Sequence, residues 1–238
     1  MLDFNRTPKR TDVPSLEQLD EAARALSSAP RAYLGGSRLG EECARKLQYE
    51  YLGGSLTMTA KLHNIFAAGH ASEAAVAQLL KGVFDLRTEK ANGHQFGFET
   101  AQGRIKGHID GVICGGPEAL GPYPYLWEAK AVGGKYFTAL VKNGVRAERP
   151  VYAGQIATYQ AYMQLTDNPA LFSVANRDSG EIHFERVPFD PKLAQECTDR
   201  GVQVLQAVEA GETLPRPYAS SDFYKCKFCD FQGECWAT

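Results

Sequence analysis

Gly107-His108-Ile109-Asp110-Gly111-Val112-Ile113 is followed, after a Gly/Pro-rich loop, by Tyr125-Leu126-Trp127-Glu128-Ala129-Lys130-Ala131. Each half alternates apolar residues as a short strand does, yet each carries charged groups where a buried strand should carry none. Glu128 and Lys130 are two residues apart, so a side-chain period of two places them on one face of the sheet. Asp110, on the preceding strand, reaches the same site. Carboxylate oxygens hold hard cations such as Mg2+ or Mn2+, and an ammonium orients the attacking water or offsets charge developing on phosphate. Two acids and a lysine on adjacent strands therefore suit metal-dependent phosphodiester hydrolysis. The same spacing also describes a salt-bridged edge strand, so the rest of the chain has to decide.

The chain has 238 residues, 44% of them hydrophobic, which is enough for a substantial core in one domain with an appendage. No apolar run approaches the roughly 20 residues of a membrane span, and the stretch Met1-Leu2-Asp3-Phe4-Asn5-Arg6 lacks a signal-peptide core. The expectation is a cytoplasmic protein with no membrane contact. A formal net charge of -2 argues against a general nucleic-acid coat but allows a local basic groove.

Outward from the central strands, Ala60 to Lys81 reads as a long helix, with Leu62, Ile65, Phe66, Ala75, Val76, Leu79 and Leu80 recurring at helical spacing. It carries Gly69-His70-Ala71-Ser72-Glu73. His70 and Glu73 share a face, and beside a carboxylate site His70 becomes a third candidate metal ligand. Gln95 to Thr100 and Arg104 to Ile113 read as a hairpin across Ala101-Gln102-Gly103. Val151 to Leu165 reads as a helix presenting Gln155 and Tyr159 on one face. Ala170 to Asn176 and Glu181 to Pro188 form a second hairpin, and Pro191 to about Glu209 a further helix. Lys135, Lys142, Arg146 and Arg149, opposed only by Glu148, are candidate contacts to a phosphate backbone; a solvated loop gives the same pattern.

The ends of the chain carry the remaining signal. Residues 1 to 36, with Arg6, Lys9 and Arg10 and a short helix from about Ser15 to Ser28, read as a peripheral arm. From Ser37, a candidate N-cap, a helix runs to Tyr51 with Cys43, Leu47 and Tyr51 on its inward stripe. Near the C-terminus stand Cys226, Cys229 and Cys235. Clustered cysteines away from an oxidising compartment usually bind metal, and Cys43 is the natural fourth ligand. Four thiolates suit either a [4Fe-4S] cluster or structural zinc, with a redox-active disulfide as the minor alternative. Cys114 and Cys197 stand apart and read as ordinary small core residues.

Taken in order, Gly69-His70, Gly107-x-x-Asp110-Gly111, Glu128-x-Lys130 and Gln155-x-x-x-Tyr159 resemble the RecB-like branch of the PD-(D/E)XK nuclease superfamily. The four-cysteine frame narrows the resemblance to iron-sulfur exonucleases of the CRISPR-associated RecB-like type, with relatives in helicase-nucleases and phages. It runs from about Ser37 to Cys235. The resemblance implies a restriction-endonuclease-like α/β core, a central mixed sheet flanked by helices. It implies an arm over residues 1–36 and a nuclease domain over 37–238, in which Cys43 and residues 224–236 form the cluster-binding part.

It further implies metal coordination by His70, Asp110, Glu128 and the backbone carbonyl of Ala129, a catalytic Lys130, and Gln155 and Tyr159 as a supporting pair. The family's [4Fe-4S] cluster tips the cysteine reading away from zinc. The implied activity is Mg2+- or Mn2+-dependent exonucleolytic hydrolysis of DNA, single-stranded or with a free end, in the 5′-to-3′ direction, with endonuclease activity as an extension. Recombination, repair or CRISPR adaptation proteins are the implied partners. Trp127 and Ala129 flank Glu128 where many relatives have aliphatic residues. No GxxxxGK[ST] loop is present, so the motor fused to some relatives is missing. The competing reading is a non-catalytic DNA-binding or adaptor subunit; the presence of Asp110, Glu128 and Lys130 together speaks against it. In a cluster-bearing redox protein, the third reading, the carboxylates would be incidental.

Overall fold

The computed structural model describes residues 13–27, 31–54 and 57–237. Arg6, Lys9 and Arg10 of the expected arm, and Ser28 at the end of its helix, lie outside the described residues. The helices are α1 (Leu16–Leu26), α2 (Ala44–Tyr51), α3 (Ala60–Lys81), α4 (Gly134–Asn143), α5 (Val145–Glu148), α6 (Pro150–Tyr162), α7 (Pro191–Glu209), α8 (Tyr224–Lys227) and α9 (Gln232–Trp236). The strands are β1 (Leu34–Gly35), β2 (Leu86–Arg87), β3 (Gly97–Thr100), β4 (Ile105–His108), β5 (Gly111–Ile113), β6 (Tyr125–Val132), β7 (Ala170–Asn176) and β8 (Ile182–Val187). No helix among the described residues is long and apolar enough to cross a membrane.

Five strands form a mixed sheet in the order β2-β5-β6-β7-β8, and three more form a smaller sheet in the order β1-β4-β3. β6 pairs antiparallel with β5 and parallel with β7; the parallel step is made by the helices α4, α5 and α6, which carry the chain back across the sheet. A central strand covered on both faces reads as a nearly continuous apolar run rather than an alternation, and β7 is buried along its whole length. Leu126 and Val132 of β6 pack with Ile156 and Tyr159 of α6 and Phe137 of α4. Trp127 and Ala129 point the other way, into a cluster with Val76, Ala77 and Leu80 of α3. A third cluster joins Leu34, Leu47 and Ile105 to Cys197, Val204 and Leu205 of α7.

Several details differ from the sequence expectation. The stretch Gly107 to Ile113 is not one strand. It breaks at Ile109-Asp110, where the chain leaves the three-stranded sheet and enters the five-stranded one. The Ile109 amide donates to the Phe96 carbonyl (3.0 Å), and Gln95 donates to the Ile109 carbonyl (3.2 Å), which hold the crossover in place. Residues 135 to 149 are not a loop but the helices α4 and α5. Ser37 lies in a 3-10 turn, Gly36–Arg38, and caps no α-helix. Cys43 itself is the N-cap of α2, its sulfur accepting from the Lys46 amide (3.4 Å), so it stands before the inward stripe and not on it. In α3 only Val76, Ala77 and Leu80 are buried; Leu79 faces outward, and Ile65 and Phe66 are exposed on the wall of a cavity. Gly69 meets no other backbone.

Candidate active site

Glu128 and Lys130 share the α6-facing side of β6, as the period of two requires. Glu128 is fully buried, and its Oε1 accepts from Lys130 Nζ and from the Gln155 amide Nε2, the latter over 2.6 Å. Its second oxygen, Oε2, is buried with no hydrogen-bond partner. A buried carboxylate oxygen left in that state costs free energy unless another group, a proton or a cation, takes it. Asp110 sits at the sheet crossover, where Oδ2 accepts from the Ala129 amide over 2.7 Å. The Ala129 carbonyl in turn accepts from Lys130 Nζ at 3.2 Å.

α6 supplies the wall above β6. Tyr159 is buried against β4 because Gly107 has no side chain: a Cβ there would stand 2.4 Å from the Phe98 ring and 2.9 Å from the Tyr159 ring. Ser37 hydrogen-bonds the Tyr159 hydroxyl, and burial raises the phenol's pKa, so it remains a neutral hydrogen-bonding group. Ser37, Asp110, Ala129, Lys130, Gln155 and Tyr159 line a cavity of about 810 Å³ between the small sheet, α3 and the N-terminal turn of α6, while Glu128 itself is fully buried.

Burial and the neighbouring Asp110 push the Glu128 carboxyl up to about 8. Burial also raises Asp110. Lys130 is held above its ordinary value by Glu128 and Asp110, which outweigh its desolvation, and it keeps its proton. Burial and mutual repulsion thus make these carboxyls hold protons more tightly beside a protonated lysine, a perturbed group of the kind that marks functional sites.

Glu73 belongs to the same constellation and was passed over as a ligand in the sequence. It lines the cavity half-buried, and burial followed by the charge of Asp110 raises its pKa. The signal was available as a third acidic position, on the helix face that carries His70. His70 lies at the mouth of the cavity with its side chain 84% exposed, its Nδ1 4.0 Å from Glu73 Oε2. Among the described residues no three His, Cys, Asp or Glu side chains are grouped so as to hold a metal ion. The donor set at Glu128, Asp110 and Glu73 nonetheless suits a hard cation: all donors are carboxylate oxygens, one of them buried and unpartnered.

Of the basic residues expected to meet phosphate, Lys135 and Lys142 are exposed on α4, and Arg146 pairs with Asp190 at 2.5 Å. Arg149 alone of the four lines the cavity.

Cys43, Cys226, Cys229 and Cys235 are half-buried and line a second cavity, of about 690 Å³. Burial raises the thiols of Cys43 and Cys229, and Cys43 feels the charges of Cys229 and Cys235. The C-terminal tail is docked on α2 by other contacts as well. Tyr49 stacks on Phe231 at 5.5 Å, Arg45 donates to the Cys235 carbonyl at 3.5 Å, and Lys225 pairs with Glu42 just before the helix.

No family model and no curated protein matches the chain. Solved structures share its fold. The crystal structure of SSO0001 is 18% identical, covering 93% of this chain and 94% of that one, with a TM-score of 0.52. The crystal structure of an alkaline exonuclease, LHK-Exo, from Laribacter hongkongensis is 17% identical over 80% of this chain and 93% of that one, with a TM-score of 0.51. LHK-Exo in complex with dAMP gives 16% identity over the same shares and a TM-score of 0.51. This chain thus has the fold of an exonuclease structure.

Proposed function

We propose that this protein is a divalent-metal-dependent DNA exonuclease. The observation that carries the reading is the unpartnered, fully buried Oε2 of Glu128 beside Asp110 and Glu73. The fold shared with an alkaline exonuclease supports the same conclusion. Asp110, Glu128, Glu73 and the Ala129 carbonyl would hold Mg2+ or Mn2+, with His70 at the rim. Such an ion, when bound, supplies Lewis acidity toward phosphate and a water of lowered pKa.

The residues of the chain do the rest. Gln155 and Lys130 together fix the rotamer of Glu128, and the Ala129 amide fixes Asp110. Lys130 keeps its proton, so its part is to neutralise charge developing on the phosphate and orient the attacking water, not to act as the base. Asp110 and Glu73 line the cavity but would be taken up as ligands of the cation, so a proton released on attack would pass to water in the cavity. Tyrosine rings on the cavity wall, Tyr33, Tyr136 and Tyr152, suit an unpaired strand, since exposed bases stack on aromatic faces.

The four thiols around the second cavity would hold a [4Fe-4S] cluster, whose part is to lock α2 to the C-terminal tail. What supports the reading is that Cys43 and the three tail cysteines, from two segments far apart in the chain, all line one cavity.

Protein purified without oxygen and incubated with Mn2+ should degrade single-stranded DNA. Parallel 5′- and 3′-labelled oligonucleotides, single and double-stranded, read strand preference and direction; 5′-to-3′ degradation of single strands is expected. DNA binding without cleavage in any divalent metal would overturn the reading in favour of an adaptor. Metal analysis and the visible spectrum of the same sample decide between iron-sulfur and zinc.

A further inference from the structure

Arg149 lies between α5 and α6, and its guanidinium is spread over the Tyr136 ring, 4.1 Å from the ring centroid. Its Nε is buried and has no hydrogen-bond partner. Among the described residues no carboxylate forms an ion pair with it; the adjacent Glu148 accepts instead from Asn143 (3.2 Å), and Arg146 takes Asp190. Tyr136 is 50% exposed, and both residues line the cavity that contains Asp110 and Lys130. A guanidinium stacked on an aromatic ring is held flat with its donors in one plane, and a planar fork matches phosphate oxygens two at a time. An arginine so oriented, without a carboxylate, at the wall of a carboxylate-rich cavity is complementary to an anion arriving from outside.

We propose that Arg149, laid on the ring of Tyr136, grips a phosphate of the nucleic-acid strand beside the one that is cleaved, while the exposed part of the ring contacts the neighbouring sugar or base. This rests on the nuclease reading and assigns its substrate-gripping residue. Lys135 and Lys142, exposed on α4 outside the cavity, have no such part. The lone orphaned Nε distinguishes this arginine from one that serves only to pack the start of α6.

The test uses the full chain with Arg149→Ala, Arg149→Lys, Tyr136→Leu and Tyr136→Phe, each checked for cooperative thermal unfolding. Binding of a fluorescein-labelled oligothymidylate is measured in EDTA over a range of salt, and KM and kcat are measured in Mn2+. Arg149→Ala should weaken binding about tenfold and lower the slope of log K against log salt by about 0.7, the value for one phosphate on a single strand. KM should rise by a larger factor than kcat falls. Arg149→Lys should keep the slope yet bind more weakly, because charge remains and the fork is lost; Tyr136→Leu should weaken binding, and Tyr136→Phe should bind like the parent. Parent-like slope and KM in Arg149→Ala would overturn the proposal. Should that variant not fold, parent-like affinity in both Arg149→Lys and Tyr136→Leu overturns it instead. If the parent protein itself neither binds nor cleaves the oligonucleotide, the nuclease reading fails and takes this inference with it. A parent that does both, beside variants that match it, removes only the role of Arg149.

Discussion

The Gln155 carboxamide donates to Glu128 Oε1 over 2.6 Å while Oε2 of the same carboxylate has no partner. One side chain on α6 and one on β6 thereby present a single carboxylate oxygen in a fixed direction. Hydrogen bonds to charged groups contribute about 1.5–3 kcal/mol, so Gln155→Leu should reduce kcat/KM roughly 10- to 100-fold. Gln155→Glu should do more harm, by adding a carboxylate that repels Glu128. The Mn2+ concentration for half-maximal cleavage should rise in both, and a metal titration of the rate checks it.

Glu73 and His70 stand on one face of α3, yet the structure separates their parts. Glu73 is half-buried toward Asp110, whereas His70 is exposed at the rim. Glu73→Gln should therefore raise the Mn2+ requirement at least about tenfold, equivalent to 1.4 kcal/mol. His70→Ala should change it by less. Isothermal titration of Mn2+ into each variant ranks the two; a larger loss in His70→Ala would restore the histidine to the centre.

Stability should depend on pH in a way that metal reverses. Folded Glu128 titrates at about 8 against an ordinary 4.5, so its contribution is fully present below about 4.5 and is lost as pH rises through 8. Asp110 and Glu73, also raised, act in the same sense. In EDTA, Tm of the parent should fall more steeply between these limits than that of Glu128→Gln. With Mn2+ the ligands must lose protons to bind, and the added stability should grow with pH.

Close packing at two glycines sets α6 in place. A Cβ on Gly40 would stand 2.7 Å from the Val151 carbonyl oxygen, and one on Gly107 would meet Phe98 and Tyr159. Gly40→Ala has backbone against it and little room to relax, so it should cost about 1–3 kcal/mol in urea unfolding. Because α6 carries Gln155, activity should fall by more than the folded fraction does.

The face shared by Glu128 and Lys130 was legible because period-two spacing survives in any strand, β7 is an almost continuous apolar run, and α7 keeps its apolar residues at helical spacing. Asp110 was legible as an acid but not as the pivot between two sheets. Periodicity continues across Ile109-Asp110 while hydrogen-bond partners change, and partners are not encoded locally. The exposed Ile65 and Phe66 misled for the opposite reason: helical spacing of apolar residues marks a stripe without saying whether anything covers it. Cys43 lines the same cavity as the tail cysteines, but the helix starts at Ala44 and not after Ser37, which makes the cysteine a cap. Glu73 was overlooked because its neighbour His70 is the chemically more distinctive residue.

We propose that the buried carboxylates of Asp110, at the β4–β5 crossover, and Glu128, on β6, serve a metal-dependent nuclease. The direct test is Mn2+-dependent hydrolysis of end-labelled single-stranded DNA by the parent and by Asp110→Asn, a near-isosteric change that keeps an acceptor for the Ala129 amide. The account predicts cleavage by the parent, abolished by EDTA, and a loss of at least about 1,000-fold in a folded Asp110→Asn protein, on the scale of removing one electrostatic element of a catalytic site. Parent-like, metal-dependent cleavage by Asp110→Asn would place the chemistry elsewhere in the chain and contradict the account.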